Sequence, residues 1–426
     1  MNPFIYTDRN KRYHTLDYHY RTSFKCKISK ISLNAGFTCP NIDGRVGYGG
    51  CIYCSNLGSG DFAGKKEDDL ITQFYSIKKI IDKKWKNTKY IGYFQAHTNT
   101  YAPLFILKEK YETILNIENV IGLSIATRPD ALPDDVLDYL EELSKKTYIT
   151  IELGLQTIHK KTSIFINRCH TLECFEECVK KLRNRNINVV IHIINGLPYE
   201  TKDMMIETIK YLNSLDIQGI KIHMLHILEK TKLGKIYRDK PFKILSKEEY
   251  IDIVCDQLEY LRPEIVIHRI TGDPDQNDLI EPSWLDKKLC ILNDIDATLE
   301  KRKTYQGFRL NKENLIHKIL LPILKKNDYI VDITKKYKEV LKQYINEENY
   351  YTELPTDKEG KITTILINDI NDIDECLTYL HNRGFLLLIT NQKPRKEDYN
   401  KYNATFYEFE NIFYVIKIDK NTLSIK

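Results

Sequence analysis

Cys39, Cys51 and Cys54 lie within Cys-Pro-Asn-Ile-Asp-Gly-Arg-Val-Gly-Tyr-Gly-Gly-Cys-Ile-Tyr-Cys, with eleven residues between the first pair and two between the second. Three thiolates suffice to hold three irons of a cubane cluster, because each iron takes one terminal protein ligand. The fourth iron is then open to a substrate or cofactor. Gly44, Gly47, Gly49 and Gly50 let the intervening backbone bend tightly around a bulky inorganic core. The competing chemistry is a zinc site completed by a nearby histidine such as His14 or His19.

A metal-binding loop needs a rigid element to hold it. Short apolar runs at 28–33, 90–95, 122–126, 147–153, 188–194 and 219–224 read as strands. Amphipathic stretches at 68–86, 134–145, 170–185 and 201–215 read as helices. Strands alternating with helices imply parallel pairing and right-handed crossovers. The expected fold is therefore α/β, a partial (β/α)6 TIM-like barrel, with a further apolar run at 264–270 that extends or caps it. Functional residues of such barrels gather at the carboxyl ends of the strands, and polar motifs stand there. The cysteine loop follows the first run, Gln95-Ala96-His97-Thr98-Asn99-Thr100 closes the second, and Thr127-Arg128-Pro129-Asp130 closes the third. Glu152 and Gln156 belong to the fourth, Asn195-Gly196-Leu197-Pro198 follows the fifth, and His223-Met224-Leu225-His226 ends the sixth.

Together with Ile166-Asn167-Arg168-Cys169-His170 and Ile267-His268-Arg269-Ile270-Thr271-Gly272-Asp273, these motifs resemble the YhcC/YtqA-like radical S-adenosylmethionine (SAM) family, from about His14 to Gly307. The long first cysteine gap resembles the subgroup that includes the catalytic subunit of Elongator. At Cys169 the chain departs from the family, where glycine is usual, which bears on the local loop geometry. The resemblance implies a 4Fe–4S cluster on Cys39, Cys51 and Cys54, and SAM as cofactor. It implies that Tyr53 packs near the adenine and that the turn with Gln95, His97, Asn99 and Thr100 receives the methionine amine. Arg128 is expected either to fork onto a carboxylate or to brace the rim. Glu152 and Gln156 fit contacts to the ribose or methionine, with a buried polar network as the competitor. His192, His223, His226 and His268 are candidates to converge at the barrel top, although strand alternation separates His223 from His226 unless the strand bends. Lys221 and Arg269 are candidates to hold an anionic substrate group. Cys174 and Cys178 share a helix face and read as small apolar residues.

A chain of 426 residues is expected to form two domains, 1–308 and 309–426. No stretch approaches the ~20 apolar residues needed to cross a bilayer, and the first residues lack a basic-then-apolar secretory pattern. Ten cysteines in so long a chain do not suggest a disulfide framework. A reducing, cytoplasmic location is expected. The net charge of +5 permits a nucleic-acid partner. Basic residues from Arg9 to Lys30 interleave with Tyr13, Tyr18, Tyr20 and Phe24; they suit either RNA contacts or a terminal segment with core-directed rings.

The tail begins with a helix-like run at 314–324, then an apolar run at 329–334, a helix-like stretch to 345, and strands near 363–367 and 385–390. Val331-Asp332-Ile333-Thr334 resembles the first strand of a class I methyltransferase. A glycine-rich turn should follow so that backbone can approach the cofactor, but Lys335, Lys336, Tyr337 and Lys338 stand there. The segment reads as a small, degenerate Rossmann-like α/β domain.

The resemblance implies an enzyme that cleaves SAM to a 5′-deoxyadenosyl radical and acts on tRNA. It implies conversion of a wobble uridine from its carboxymethylaminomethyl to its aminomethyl form, with an electron donor such as flavodoxin or ferredoxin. The lysines at 325, 326, 335, 336 and 338 are compatible with RNA. A radical SAM enzyme on a protein or small metabolite, and a metal-binding RNA module without chemistry, are the alternatives.

Overall fold

Helix starts are written in the side chains before them. The Asp69 carboxylate accepts from the Ile71 and Thr72 amides, Thr171 from Cys174, and Thr201 from Met204. Ser246 and Glu249 form a reciprocal capping box. Each satisfies amide groups that the first helical turn leaves unpaired. These caps open α2 (Leu70–Asp82), α6 (Leu172–Asn184), α7 (Lys202–Leu212) and α9 (Lys247–Tyr260), with α4 (Asp134–Ser144), α5 (Lys160–Phe165) and α8 (Lys232–Asp239) between them. The computed structural model describes residues 2, 4–55, 58, 63–272, 274–285, 288–310, 328–335, 337–341, 345–390, 394–402, 404–409 and 413–420. The chain divides into two units, Met1–Phe308 and Arg309–Lys426.

The larger unit is built on β1 (Ile28–Leu33), β2 (Lys89–Phe94), β3 (Val120–Thr127), β4 (Tyr148–Gln156), β5 (Asn188–Asn195), β6 (Gly219–Met224) and β8 (Val266–Arg269). These pair in the order β1-β2-β3-β4-β5-β6-β8, and every pair is parallel. The sheet curls into a half-barrel, with seven strands instead of six. The short strands β7 (Ile227–Leu228) and β9 (Leu279–Glu281) pair separately. The crossover helix α3 (Leu104–Leu115) escapes the sequence reading: its Leu-Phe-Ile-Leu start is apolar all round and Pro103 offers no capping side chain.

Alternation along the strands sorts the side chains. Ile31, Leu33, Leu123, Ile125, Ile151, Leu153, Ile191, Ile193, Ile220 and Ile222 are buried in the hydrophobic core shared with the helices. The residues between them, including Lys30, Ser124, Glu152, His192 and Lys221, turn to the opposite, inner face.

The opening segment is part of this scaffold. Helix α1 (Leu16–Phe24) packs on both edge strands, β1 and β8, and Thr15 bridges to Ile267. Tyr13 and Tyr20 are buried. Arg21 pairs with Asp8 and Asp17, Lys27 with Asp17, and Lys11 with Asp296. Tyr13, Tyr20 and Phe24 are thus core-directed.

In the smaller unit β10 (Ile330–Asp332), β11 (Tyr350–Tyr351), β12 (Ile362–Ile367), β13 (Leu380–Thr390), β14 (Ala404–Phe409) and β15 (Phe413–Asp419) form a sheet ordered β11-β10-β12-β13-β15-β14. The first four are mutually parallel, and β15 runs antiparallel to both its neighbours. The buried Asp332 carboxylate accepts from the Tyr337 amide and the Tyr350 hydroxyl, each at 2.9 Å. Of the helix-like stretch to residue 345, Lys338–Leu341 is helical, and residues 342–344 lie outside the described residues. The helix-like run at 314–324, Lys325, Lys326 and Lys336 lie outside the described residues, as does Asp273.

Candidate active site

The cysteine loop is a series of tight turns. The Ile42 amide donates to Cys39 O at 2.8 Å, Gly50 to Asn41 O at 2.8 Å, and Cys54 to Cys51 O at 3.1 Å. Gly49 and Gly50 take φ of 71° and 72°, which side chains other than glycine resist. Gly47 is required for space: a Cβ there would lie 2.2 Å from Asn41 Oδ1 and 2.7 Å from Cys169 Sγ.

A second segment clamps this loop to the barrel. The Ile52 amide donates to Ile166 O at 3.1 Å, Asn167 Nδ2 to Gly50 O at 2.8 Å, and Asn41 Nδ2 to Asn167 O at 2.6 Å. The buried Arg168 guanidinium donates to the Leu155, Thr157 and His170 carbonyls, tying the segment to the end of β4. His170 Nε2 stands 3.0 Å from Gly154 O. Cys169 sits at φ 67°, the left-handed region, which is why glycine suits this position.

All three cysteines line one cavity of about 740 Å³, which also reaches Lys221, His223 and Arg269 at the inner face of β6 and β8. Tyr53, Gln95, Arg128, Glu152 and Gln156 line it too. A hydrogen bond with Cys54 draws the Cys51 thiol down to about 6; the charge of Arg128 and contacts from Tyr53 and Asn41 add to this, against the opposing effect of burial. Burial pushes the Tyr53 hydroxyl well up, and the Cys51 and Cys54 sulfurs beside it reinforce the shift. The Arg128 fork already has a carboxylate: Nε and Nη2 donate to Asp130 at 2.9 and 2.7 Å, and Nη1 donates to Arg168 O at 2.9 Å. Arg128 thus braces the rim while its charge faces the thiols. Gln156 takes φ 63°, and its buried Oε1 has no hydrogen-bond partner among the described residues.

Asn99 does not line the cavity. Its Nδ2 donates to Phe94 O at 3.1 Å and Ala126 O at 2.8 Å, stitching β2 to β3. Thr100 is likewise buried against Thr127. Gln95 and His97 are the members of that turn that reach the cavity, with Thr98 beside them.

Glu152, buried with none of its side chain exposed, is the hub of the inner layer. It accepts from Lys30 at 2.7 Å, Ser124 at 2.6 Å and His192 at 2.8 Å, and it pairs with Lys221. Burial alone would raise its carboxyl, but Lys221 and Lys30 hold it well below the usual range. Lys221 is lowered to about 7, chiefly by burial and further by Lys30 and Arg269. Tyr93 accepts from Lys221 at 2.9 Å. The sequence reading missed Lys30, Tyr93 and Ser124. Their signal was a polar side chain interrupting an apolar strand run.

His192 and His223 face each other with ring centroids 5.1 Å apart. Strand β6 ends at Met224, so the chain leaves the sheet before His226, and that ring lines the cavity as well. His268 does not; its ring lies against Gly219. His14 and His19 lie by β8 and outside the cavity, where His14 stacks on Tyr6 at 4.7 Å and its Nδ1 is 3.2 Å from Glu264 O. Cys178 is buried and Cys174 half-buried on α6.

Among the described residues no three His, Cys, Asp or Glu side chains are gathered to hold a metal ion. Each iron of a cubane takes one terminal thiolate, so three cysteines on separate irons need not gather around one point. The thiols fit a cluster with one open iron: the donors are sulfurs, Cys51 is drawn toward the thiolate, and the shared cavity holds the orphaned Gln156 oxygen for a further ligand.

The Radical SAM superfamily profile matches residues 43–212, and the Radical_SAM C-terminal domain profile matches residues 217–301. Uncharacterized protein YtqA of Bacillus subtilis (strain 168) is 54% identical over 306 residues, covering 72% of this chain and 95% of that protein. The tRNA uridine(34) acetyltransferase of Methanocaldococcus jannaschii is 26% identical over 137 residues, 32% of this chain and 25% of that protein. Among solved structures, archaeal Methanocaldococcus infernus Elp3 superimposes with a TM-score of 0.51 at 16% identity, covering 66% of this chain and 64% of that one. The fold and the site define a radical SAM protein, a class whose enzymes use a 4Fe–4S cluster and SAM. Within that superfamily the chain belongs to the YhcC/YtqA-like family. No helix among the described residues is long and apolar enough to cross a membrane.

Proposed function

We propose that this protein is a tRNA-modifying radical SAM enzyme, converting the carboxymethylaminomethyl group of a wobble uridine to the aminomethyl group. The observation that carries the radical chemistry is the placement of Cys39, Cys51 and Cys54 on one loop facing a cavity at the carboxyl ends of parallel strands. The tRNA assignment is supported by the partial similarity to a protein named for tRNA uridine 34 and by the resemblance to the YtqA-like branch.

Cys39, Cys51 and Cys54 would hold the cluster. When bound, cluster and SAM together supply reductive cleavage and a carbon-centred radical able to take hydrogen from an unactivated carbon. This chain's residues do the holding. Tyr53 and Gln156 stand beside the loop to pack and hydrogen-bond the cofactor, and Gln95 offers polar groups from the β2 turn. Arg128 keeps positive charge against the thiolates. Asn99 and Glu152 act from behind, the first by fixing the strand ends and the second by fixing Lys221 and His192. Walls of this kind exclude water and hold reacting atoms in register.

The smaller unit is proposed to be a degenerate methyltransferase-like domain. Its run of parallel strands closing in an antiparallel pair supports that reading. After β10, Lys335 occupies a left-handed φ of 58° where a cofactor-binding turn needs glycine. Lys335 and Lys338 are exposed, as an RNA-docking face requires.

The test is anaerobic reconstitution with iron and sulfide, then dithionite and SAM. We expect 5′-deoxyadenosine, lost in Cys39→Ala, Cys51→Ala or Cys54→Ala. Nucleosides of tRNA from cells lacking the protein should accumulate the carboxymethylaminomethyl form. Unchanged nucleosides together with active SAM cleavage would redirect the search to a protein or metabolite substrate.

A further inference from the structure

Strand register sets His192, Lys221 and Arg269 in one row across β5, β6 and β8, because Lys221 pairs with His192 on one side and Arg269 on the other. The row lies on the inner face and lines the same cavity as the thiols. Glu152 is the one carboxylate among the described residues lining that cavity, and it is already committed to Lys30 and Lys221. Arg269 is half-buried and forms no ion pair with a described carboxylate. A guanidinium cannot shed its charge in a protein, and a charge withdrawn from water calls for a partner. Beside it, His223 Nε2 is buried without a hydrogen-bond partner. Burial is the main cause that lowers Lys221; Glu152 opposes it, and the charges of Lys30 and Arg269 add to it.

We propose that Arg269 and His223, with Lys221 behind them, form a subsite for a carboxylate carried by the substrate, opposite the cysteine loop. The radical SAM reading supplies the reaction, and the tRNA reading supplies only the identity of the carboxylate bearer. Two other oxyanions have the same chemistry. An RNA phosphate belongs to a continuous backbone, which would have to be threaded to the inner face of the barrel; a carboxylate on a short base substituent reaches there alone. The carboxylate of SAM belongs at the open iron, on the cysteine side. Arg269 can grip a carboxylate through two parallel N–H donors, and a histidine N–H can supply a third.

The experiment has two arms, both with reconstituted, oxygen-protected full-length protein saturated with SAM, so that the cofactor's own carboxylate site is filled. In the first, N-acetylglycine is titrated as a small carboxylate probe and melting is followed by tryptophan emission. A saturable rise in melting temperature is expected in the unaltered protein, with at least tenfold weaker apparent affinity in Arg269→Gln and partial recovery in Arg269→Lys. No saturable rise, or the same rise in all three, overturns the subsite. In the second, turnover is compared on tRNA bearing the carboxymethylaminomethyl group and on the same tRNA with that group methyl-esterified. Arg269→Gln should raise KM at least tenfold for the acid and far less for the ester. An equal rise for both points to phosphate and overturns the proposal, as does a matching loss of SAM affinity. Probe protection without turnover of either tRNA keeps the carboxylate subsite and rejects the tRNA reading.

Discussion

Replacing Glu152 by Gln keeps the shape of the side chain and removes its charge. The carboxylate is fully buried, and its partners Lys30 and Lys221 have side chains only 15% and 7% exposed. Removing one member of a buried ion pair costs about 3–5 kcal/mol, because the remaining charge is left uncompensated. No cavity is created, so the loss is electrostatic. For a unit of this size, with an unfolding entropy of about 2.1 cal/mol/K per residue, that is a fall of roughly 5–8 °C in melting temperature. Trp85 and Trp284, the two tryptophans of the chain, both lie in the larger unit, so tryptophan emission reports that unit alone.

The pH dependence follows from Lys221. Its folded value of about 7 lies below that of an unfolded lysine, about 10.4, so between the two values the unfolded chain binds more protons and stability rises with pH. Glu152 is what keeps the folded value as high as it is. Without that charge the folded amine protonates only at lower pH, so the variant goes on losing stability as pH falls below about 7, where the loss in the unaltered protein has levelled off. The deficit should therefore be larger at pH 6 than at pH 8.5. A loss under about 1 kcal/mol, or a deficit equal at both pH values, would refute the hub role of Glu152.

Three further substitutions separate scaffold from site. Gly47→Ala puts a methyl group onto Asn41 and Cys169, an overpacking that costs about 1–3 kcal/mol; iron bound per chain after reconstitution should fall. Cys169→Gly relieves a left-handed backbone at φ 67° and should raise stability by up to about 1 kcal/mol, since the relief of about 1–2 kcal/mol outweighs the entropy cost of glycine; a destabilised variant would mean that the Cys169 thiol is needed for packing. Asn99→Ala leaves the Phe94 and Ala126 carbonyls short of a donor and should cost about 1–3 kcal/mol in tryptophan-monitored unfolding. If SAM affinity instead drops with little loss of stability, Asn99 faces the cofactor after all.

The cysteine loop, the first and sixth strands and the four main amphipathic helices are legible from the sequence because each is encoded locally, by spacing, alternation or a capping residue. The helix Leu104–Leu115 is not, since an apolar run without periodicity or a cap carries no helical signature. The position of glycine-like backbone at residue 169 was visible as a departure from a pattern, and its cause is the left-handed turn there.

Residue types and their order along the chain thus determined a three-thiol loop on a parallel α/β frame, because those features depend on neighbours within a few positions. Tertiary structure alone decided which polar groups meet. Lys30 stands in a basic opening segment, yet register and curl carry it to Glu152, 122 residues away. Asn99 stands in the polar rim, yet its amide turns into the strands. Convergence of this kind depends on which strands become neighbours and how far the sheet bends, and neither is written within any one segment.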